Sequence, residues 1–188
     1  MTPQLGEIRL AWWRERLEEL DNGIPPPAEP RLQAVAATLI PAGVTGKDLS
    51  RLEDCWSVLL NPFPWGDAEA DAVAERGAIL FEIGARLLGG EPTDAQPFGA
   101  AWSLADAAEG VSDAESRALL GERARAAIAR LSSLRPPLKL GPLTMITARK
   151  AYDLLHGDRS RWHRMLFALR SSLRGTMPVV GQFENKRD

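Results

Sequence analysis

Residues 3–20 read PQLGEIRLAWWRERLEEL, and the spacing of their apolar side chains decides the fold class. Leu5, Ile8, Trp12, Leu17 and Leu20 recur near helical intervals and predict a helix with one apolar stripe. Pro3 suits a first turn, where its missing N–H costs nothing. Asn22-Gly23 stops the helix, because glycine readily takes the left-handed cap conformation. The same pattern recurs along the chain, with predicted helices over residues 31–40, 47–60, 67–88, 95–109, 112–134, 143–155 and 159–174. Proline and glycine clusters separate them, among them Pro25-Pro26-Pro27, Asn61-Pro62-Phe63-Pro64, Gly89-Gly90 and Pro136-Pro137. Asp67 and Glu69 favour a helix start through the helix dipole, and Ser112 with Glu115 forms a capping-box pattern.

The expectation is an all-α, single-domain bundle of seven to eight helices over residues 1–175, followed by a polar tail over 176–188. A chain of 188 residues is long enough to bury a sizeable core. Trp12, Leu17, Val58, Leu59, Leu80, Ile83, Leu87, Trp102, Leu104, Ile128, Leu131, Ile146, Leu154, Leu166 and Leu169 are its expected members. A formal net charge of −2 supplies no global field for nucleic acid, which is not an expected partner. Cys55 stands alone, which excludes an intrachain disulfide and a thiolate metal site. The N-terminus has no basic segment followed by an apolar one, and no apolar run reaches the ~18 residues that span a bilayer. The cytoplasm is therefore the expected compartment.

The string Leu5-Gly6-Glu7-Ile8-Arg9-Leu10-Ala11-Trp12-Trp13-Arg14 resembles a recurrent helix of the squalene/phytoene synthase family. Weaker patterns follow in the family's order: Leu52 to Pro64, the helix ending in Ala85-Arg86-Leu87-Leu88-Gly89, and a last pair carrying Tyr152 and Trp162-His163-Arg164. The resemblance implies the all-α isoprenoid-synthase fold and, in active members, head-to-head joining of two prenyl diphosphates. The family also includes a mitochondrial complex I assembly factor understood to work without synthase chemistry, so fold alone does not settle function.

That chemistry needs two Asp-rich motifs facing each other, because Mg²⁺ takes carboxylate and phosphate oxygens and neutralises the departing diphosphate. By the resemblance, the first motif belongs upstream of the Leu5–Arg14 string, where this chain begins, and it is expected to be missing. The second belongs on the helix around Trp102, where only Asp106 and Glu109 stand three residues apart. These two are the weak metal candidates, and a solvated helix end is the preferred reading of them. Asp67 and Asp71 form a literal Asp-x-x-x-Asp at a position matching neither motif, and read as first-turn acids. His156 and His163 show no carboxylate–His–Ser arrangement, Cys55 reads as a buried inert thiol, and Gly89-Gly90 is a helix stop without a following Lys-Ser/Thr. No catalytic residue, metal or cofactor is assigned.

Two faces remain for binding. Trp162, Met165, Leu166, Leu169 and Leu173 make a stripe flanked by Arg159, Arg161, His163, Arg164, Arg170 and Arg174. The preferred reading is that the stripe packs into the core, while an anionic membrane surface is the alternative that would place the protein peripherally at a membrane. Trp12 and Trp13 point about 100° apart on one helix, and a flank left uncovered there is a partner surface. The expected function is non-catalytic binding, as an assembly or accessory factor or a lipid-handling module, with a homodimer or protein partner on the first helix. The alternative is a divergent prenyltransferase acting on prenyl diphosphates, with a reduced or partner-completed Mg²⁺ site.

Overall fold

Helix signals and stop signals alternate through the sequence, and the computed structural model, which describes residues 3–156, follows them. Seven α-helices occur among the described residues: α1 (Pro3–Asp21), α2 (Pro30–Thr38), α3 (Gly46–Ser57), α4 (Asp67–Leu87), α5 (Pro92–Gly110), α6 (Ala114–Leu131) and α7 (Gly141–His156). Short 3-10 turns at Val58–Leu60 and Leu138–Leu140 lead into the loops. No strand occurs among the described residues. The helix expected over 159–174 and the tail over 176–188 lie outside them.

Most boundaries fall within three residues of expectation, and the differences have local causes. Helix α5 starts at Pro92, three residues early, because proline is well tolerated at a helix start, and Pro97 is accommodated inside. At the start of α6 the cap is Asp113 and not Ser112: its carboxylate accepts the Ser116 N–H at 2.8 Å and the Ser116 hydroxyl at 2.7 Å. These bonds to Ser116 hold the Asp113 carboxyl below its ordinary range. Gly23 (φ 72°) and Gly89 (φ 68°) end α1 and α4 in the left-handed region.

Helix α5 is central, packing on α4, α6 and α7, while α3 packs on α4 and α1 on α3. The α4–α5 crossing is close because it is made of glycine. A Cβ on Gly77 would overlap the Gly99 carbonyl and Ser103, and one on Gly99 would overlap the Gly77 carbonyl and Phe81. Phe81, Phe98, Ile128, Leu131 and Leu140 pack together on one side, and Trp65, Val73, Leu104, Val111 and Leu120 on another. Between these sit Ala70, Ala85, Ala95, Ala101, Ala105, Ala124, Ala148 and Ala151, all buried.

The expected core is accordingly only partly correct. Ile83, Leu104, Ile128 and Leu131 are buried, whereas Leu17, Val58, Leu59, Trp102 and Leu154 are half-buried. Trp12, Leu80, Leu87 and Ile146 are exposed, and Leu166 and Leu169 lie outside the described residues. Leu80 and Leu87 flank Gly84, which Leu143 of α7 covers, and are themselves left exposed. Packing by alanine and glycine admits helices closely and leaves large side chains at its margins.

Candidate functional site

Ser103, Asp106 and Glu109 lie three residues apart along α5 and form a polar seam in the C-terminal half of the helix. Arg76 of α4 meets the seam at one end. Its Nη2 donates to the Ser103 hydroxyl at 3.1 Å, and its guanidinium lies 4.8 Å from the centre of the Trp56 ring. The residue is only 8% exposed, and no carboxylate comes within ion-pair distance of it among the described residues. Burial lowers the guanidinium pKa, while the Asp106 charge acts in the opposite sense.

Lys150 of α7 closes the other end. Its ammonium sits 2.8 Å from Asp106 Oδ1 and 2.5 Å from Glu109 Oε2. Burial pulls the Lys150 pKa down, but the bonds to and charges of both carboxylates outweigh it, and the net shift is upward. The structure thus brings the two metal candidates together, as their spacing on a helix requires, but around a protein cation. Asp106 and Glu109 both pair with Lys150 while remaining 46% and 65% exposed near the end of α5. Among the described residues no group of three or more His, Cys, Asp or Glu side chains is placed to hold a metal ion.

Beside this cluster α5, α6 and α7 enclose a cleft of about 450 Å³. Its floor is made of small side chains because α6 presents Ala114, Ala118 and Gly121 at helical spacing. Arg117 and Arg125 stand on the same face of α6. Arg117 caps the end of α5, donating from Nε to the Val111 carbonyl at 3.0 Å and from Nη2 to the Ser112 carbonyl at 3.1 Å. Arg125 makes no hydrogen bond or ion pair among the described residues.

The outer face of α1 is the second candidate. Gly6, Arg14 and Glu18 turn toward α3 and the 3-10 turn after it: Gly6 faces Leu60 of that turn, Arg14 binds Glu53 at 2.9 Å, and Glu18 accepts the Ser50 hydroxyl at 3.0 Å. Leu5, Ile8 and Trp12 are left outside, 49%, 65% and 38% exposed. Trp13 is half-buried and meets Trp12 edge-on, with ring centres 5.4 Å apart. Trp12 is thus a surface residue, as its reading as a partner contact requires and its reading as core does not allow.

The remaining sequence candidates have ordinary partners or lie elsewhere. Asp67 and Asp71 both pair with Arg123 of α6. Cys55 is buried, and burial first, then Glu75 and Asp54, raises its thiol to about 11. His156 ends α7, and His163 lies outside the described residues, as do Arg159, Arg161, Trp162, Arg164, Arg170 and Arg174. Sequence reading missed Arg76, Lys150 and Arg125. Arg76 carried a signal, a charge beside Gly77 and three residues from Val73 on a buried stripe; Lys150 and Arg125 resemble any surface cation. Among the described residues no helix is long and apolar enough to cross a membrane. Compared with family models, with curated proteins and with solved structures, the chain matches none.

Proposed function

We propose that the protein is a non-catalytic helical protein of squalene/phytoene synthase type that acts by binding, with the outer face of α1 as its contact surface. The observation that carries the reading is the exposed Leu5–Ile8–Trp12 stripe on a helix held to the bundle chiefly through α3. Three large apolar side chains in one line are a contact surface, since re-covering each contributes about 1.5–3 kcal/mol. The lysine between Asp106 and Glu109 supports the non-catalytic part, because an ammonium fills the space a divalent ion would need.

The partner that fits is a second copy. Leu5 and Trp12 stand two turns apart on one face of α1 with Ile8 between them. Two α1 helices crossing antiparallel midway along this stripe set Leu5 of each against Trp12 of the other, so the apolar face is self-complementary. One helix pair buries area at or below the low end of stable interfaces, about 1,200 Å² in total, so a micromolar dimer is expected.

Light scattering of the whole protein from 1 to 200 μM (about the range such an interface requires) should show a monomer–dimer transition. Trp12→Glu should abolish it without loss of helicity, and so should Ile8→Glu, whose side chain is the most exposed of the three. A monomer throughout ends the homodimer reading. Pyrophosphate release from a prenyl diphosphate with Mg²⁺, lost in Asp106→Ala, would instead establish the prenyltransferase alternative.

A further inference from the structure

The α5–α6–α7 cleft combines features that point to a ligand class, independently of the α1 surface. Its volume, about 450 Å³, falls within the roughly 300–1,000 Å³ of small-molecule sites. Ala105 and Ala108 of α5, Ala118 and Gly121 of α6 and Leu154 of α7 make an aliphatic lining with no aromatic ring. The trough therefore suits a flexible hydrocarbon chain rather than a stacked ring. From Ala114 to Gly121, over which the Arg125 guanidinium lies, the α6 wall runs about 10 Å, at 1.5 Å per residue, enough for a medium-length chain.

The charges select the head. Lys150 is engaged by Asp106 and Glu109, and Arg117 by two backbone carbonyls. Arg125 is the cation lining the cleft that has no partner among the described residues, and its Nη1 lies 3.5 Å from where a Cβ on Gly121 would stand. One guanidinium matches one carboxylate in a charge-assisted pair.

We propose that this cleft binds a free aliphatic monocarboxylate of about ten carbons, its chain along the alanine–glycine trough and its carboxylate on Arg125. A diphosphate-headed chain of similar length is expected to bind more weakly, because Arg125 offers a single guanidinium.

The test is calorimetric titration of the full 188-residue protein with decanoate below its micellar concentration, with decyl diphosphate in parallel. Saturable binding of one decanoate is expected, with the diphosphate weaker. Arg125→Gln should weaken decanoate about two- to fivefold, because Arg125 is exposed and solvent screens its pair with the carboxylate. Gly121→Leu should eliminate binding by filling the trough. That variant is tolerated structurally, because a Cβ there meets only the flexible end of Arg125 and a helix-interior glycine is itself unfavourable. Circular dichroism confirms that both variants fold. The proposal is overturned if decanoate does not saturate at millimolar concentration, if either variant binds it unchanged, or if the diphosphate binds more tightly than decanoate.

Discussion

Cys55 and Lys150 show how single positions are set by what surrounds them. The thiol of Cys55 lies among Ile79 and Ile83 with Glu75 and Asp54 nearby, which raises its pKa from 9.0 to about 11. That difference lowers the thiolate fraction at neutral pH about 100-fold, and the thiolate is the reacting species. Ellman's reagent should therefore label the native protein at least 100-fold more slowly than the urea-unfolded chain, and equal rates would show the site to be open. Lys150 acts in the opposite sense, as a cation retained by its partners. Its folded pKa lies above 10.5, so its contribution is complete below pH 10.5 and is lost as pH rises through the folded value. Asp106 and Glu109 are 46% and 65% exposed, so solvent screening limits the cluster to about 0.5–1 kcal/mol. Lys150→Met should cost that much at pH 7 and nothing above the folded pKa. It also frees two carboxylates, and weak Mn²⁺ binding detected by electron paramagnetic resonance in this variant alone would identify the lysine as the cation that fills their site.

At the scale of elements, the joint between α1 and α3 is the most specified. Asp21 at the end of α1 accepts the N–H groups of Gly46 at 2.6 Å and Lys47 at 2.9 Å, so the last residue of one helix satisfies the free donors at the start of the other. Gly46 must lack a Cβ because Leu17's carbonyl occupies that space. Thr45 and Asp48 complete a capping box, and Arg86 of α4 reaches Asp48 at 2.5 Å. Burial raises the Asp48 carboxyl, but the Thr45 backbone and hydroxyl bonds and Arg86 outweigh it, leaving it below 3.8. The sign follows: the bonds are worth most above pH 3.8 and are lost as pH falls through the lower folded value. Asp48→Ala should cost about 1 kcal/mol at pH 7, typical of a lost cap, and the deficit should vanish in strong acid. A deficit constant from pH 7 to pH 2 would assign the loss to packing. None of this joint was legible in sequence beyond the stop at Gly23. Helices and their ends follow from local signals, whereas Asp21 and Gly46 meet only after the connector has folded back. The same distinction explains the site: Asp106 and Glu109 share a face by spacing alone, but Lys150 reaches them from another helix across the bundle. The core was misread for a third reason, since periodicity marks the apolar face of a helix but not which of its large side chains fall outside the close approach that glycine and alanine allow α4 and α5.

Across the whole molecule, α5 carries the bundle and α1 stands at its edge, and the two should respond differently to change. Gly99→Ala improves intrinsic helix propensity by about 1 kcal/mol but forces a methyl into the Gly77 backbone. Overpacking at a closed site costs about 1–3 kcal/mol or more, so a net loss is expected, seen as a lower urea midpoint at unchanged slope. The edge is governed instead by concentration. If two copies join through Leu5, Ile8 and Trp12, unfolding releases two chains from each dimer, and mass action then stabilises the fold as protein is added. Each tenfold rise contributes half of ~1.4 kcal/mol per protomer, about 0.7 kcal/mol, which for a domain of this size raises the melting temperature by about 1.5–3 °C. Melting curves over two decades above the dissociation constant should therefore climb by about 3–6 °C. Trp12→Glu should melt at one temperature throughout, equal to that of the dilute parent, because Trp12 projects away from α3 and its loss leaves the monomer's packing unchanged. A parent protein whose melting point stays level over that range has no second copy on α1. A variant that melts below the dilute parent would show that Trp12 serves its own bundle instead.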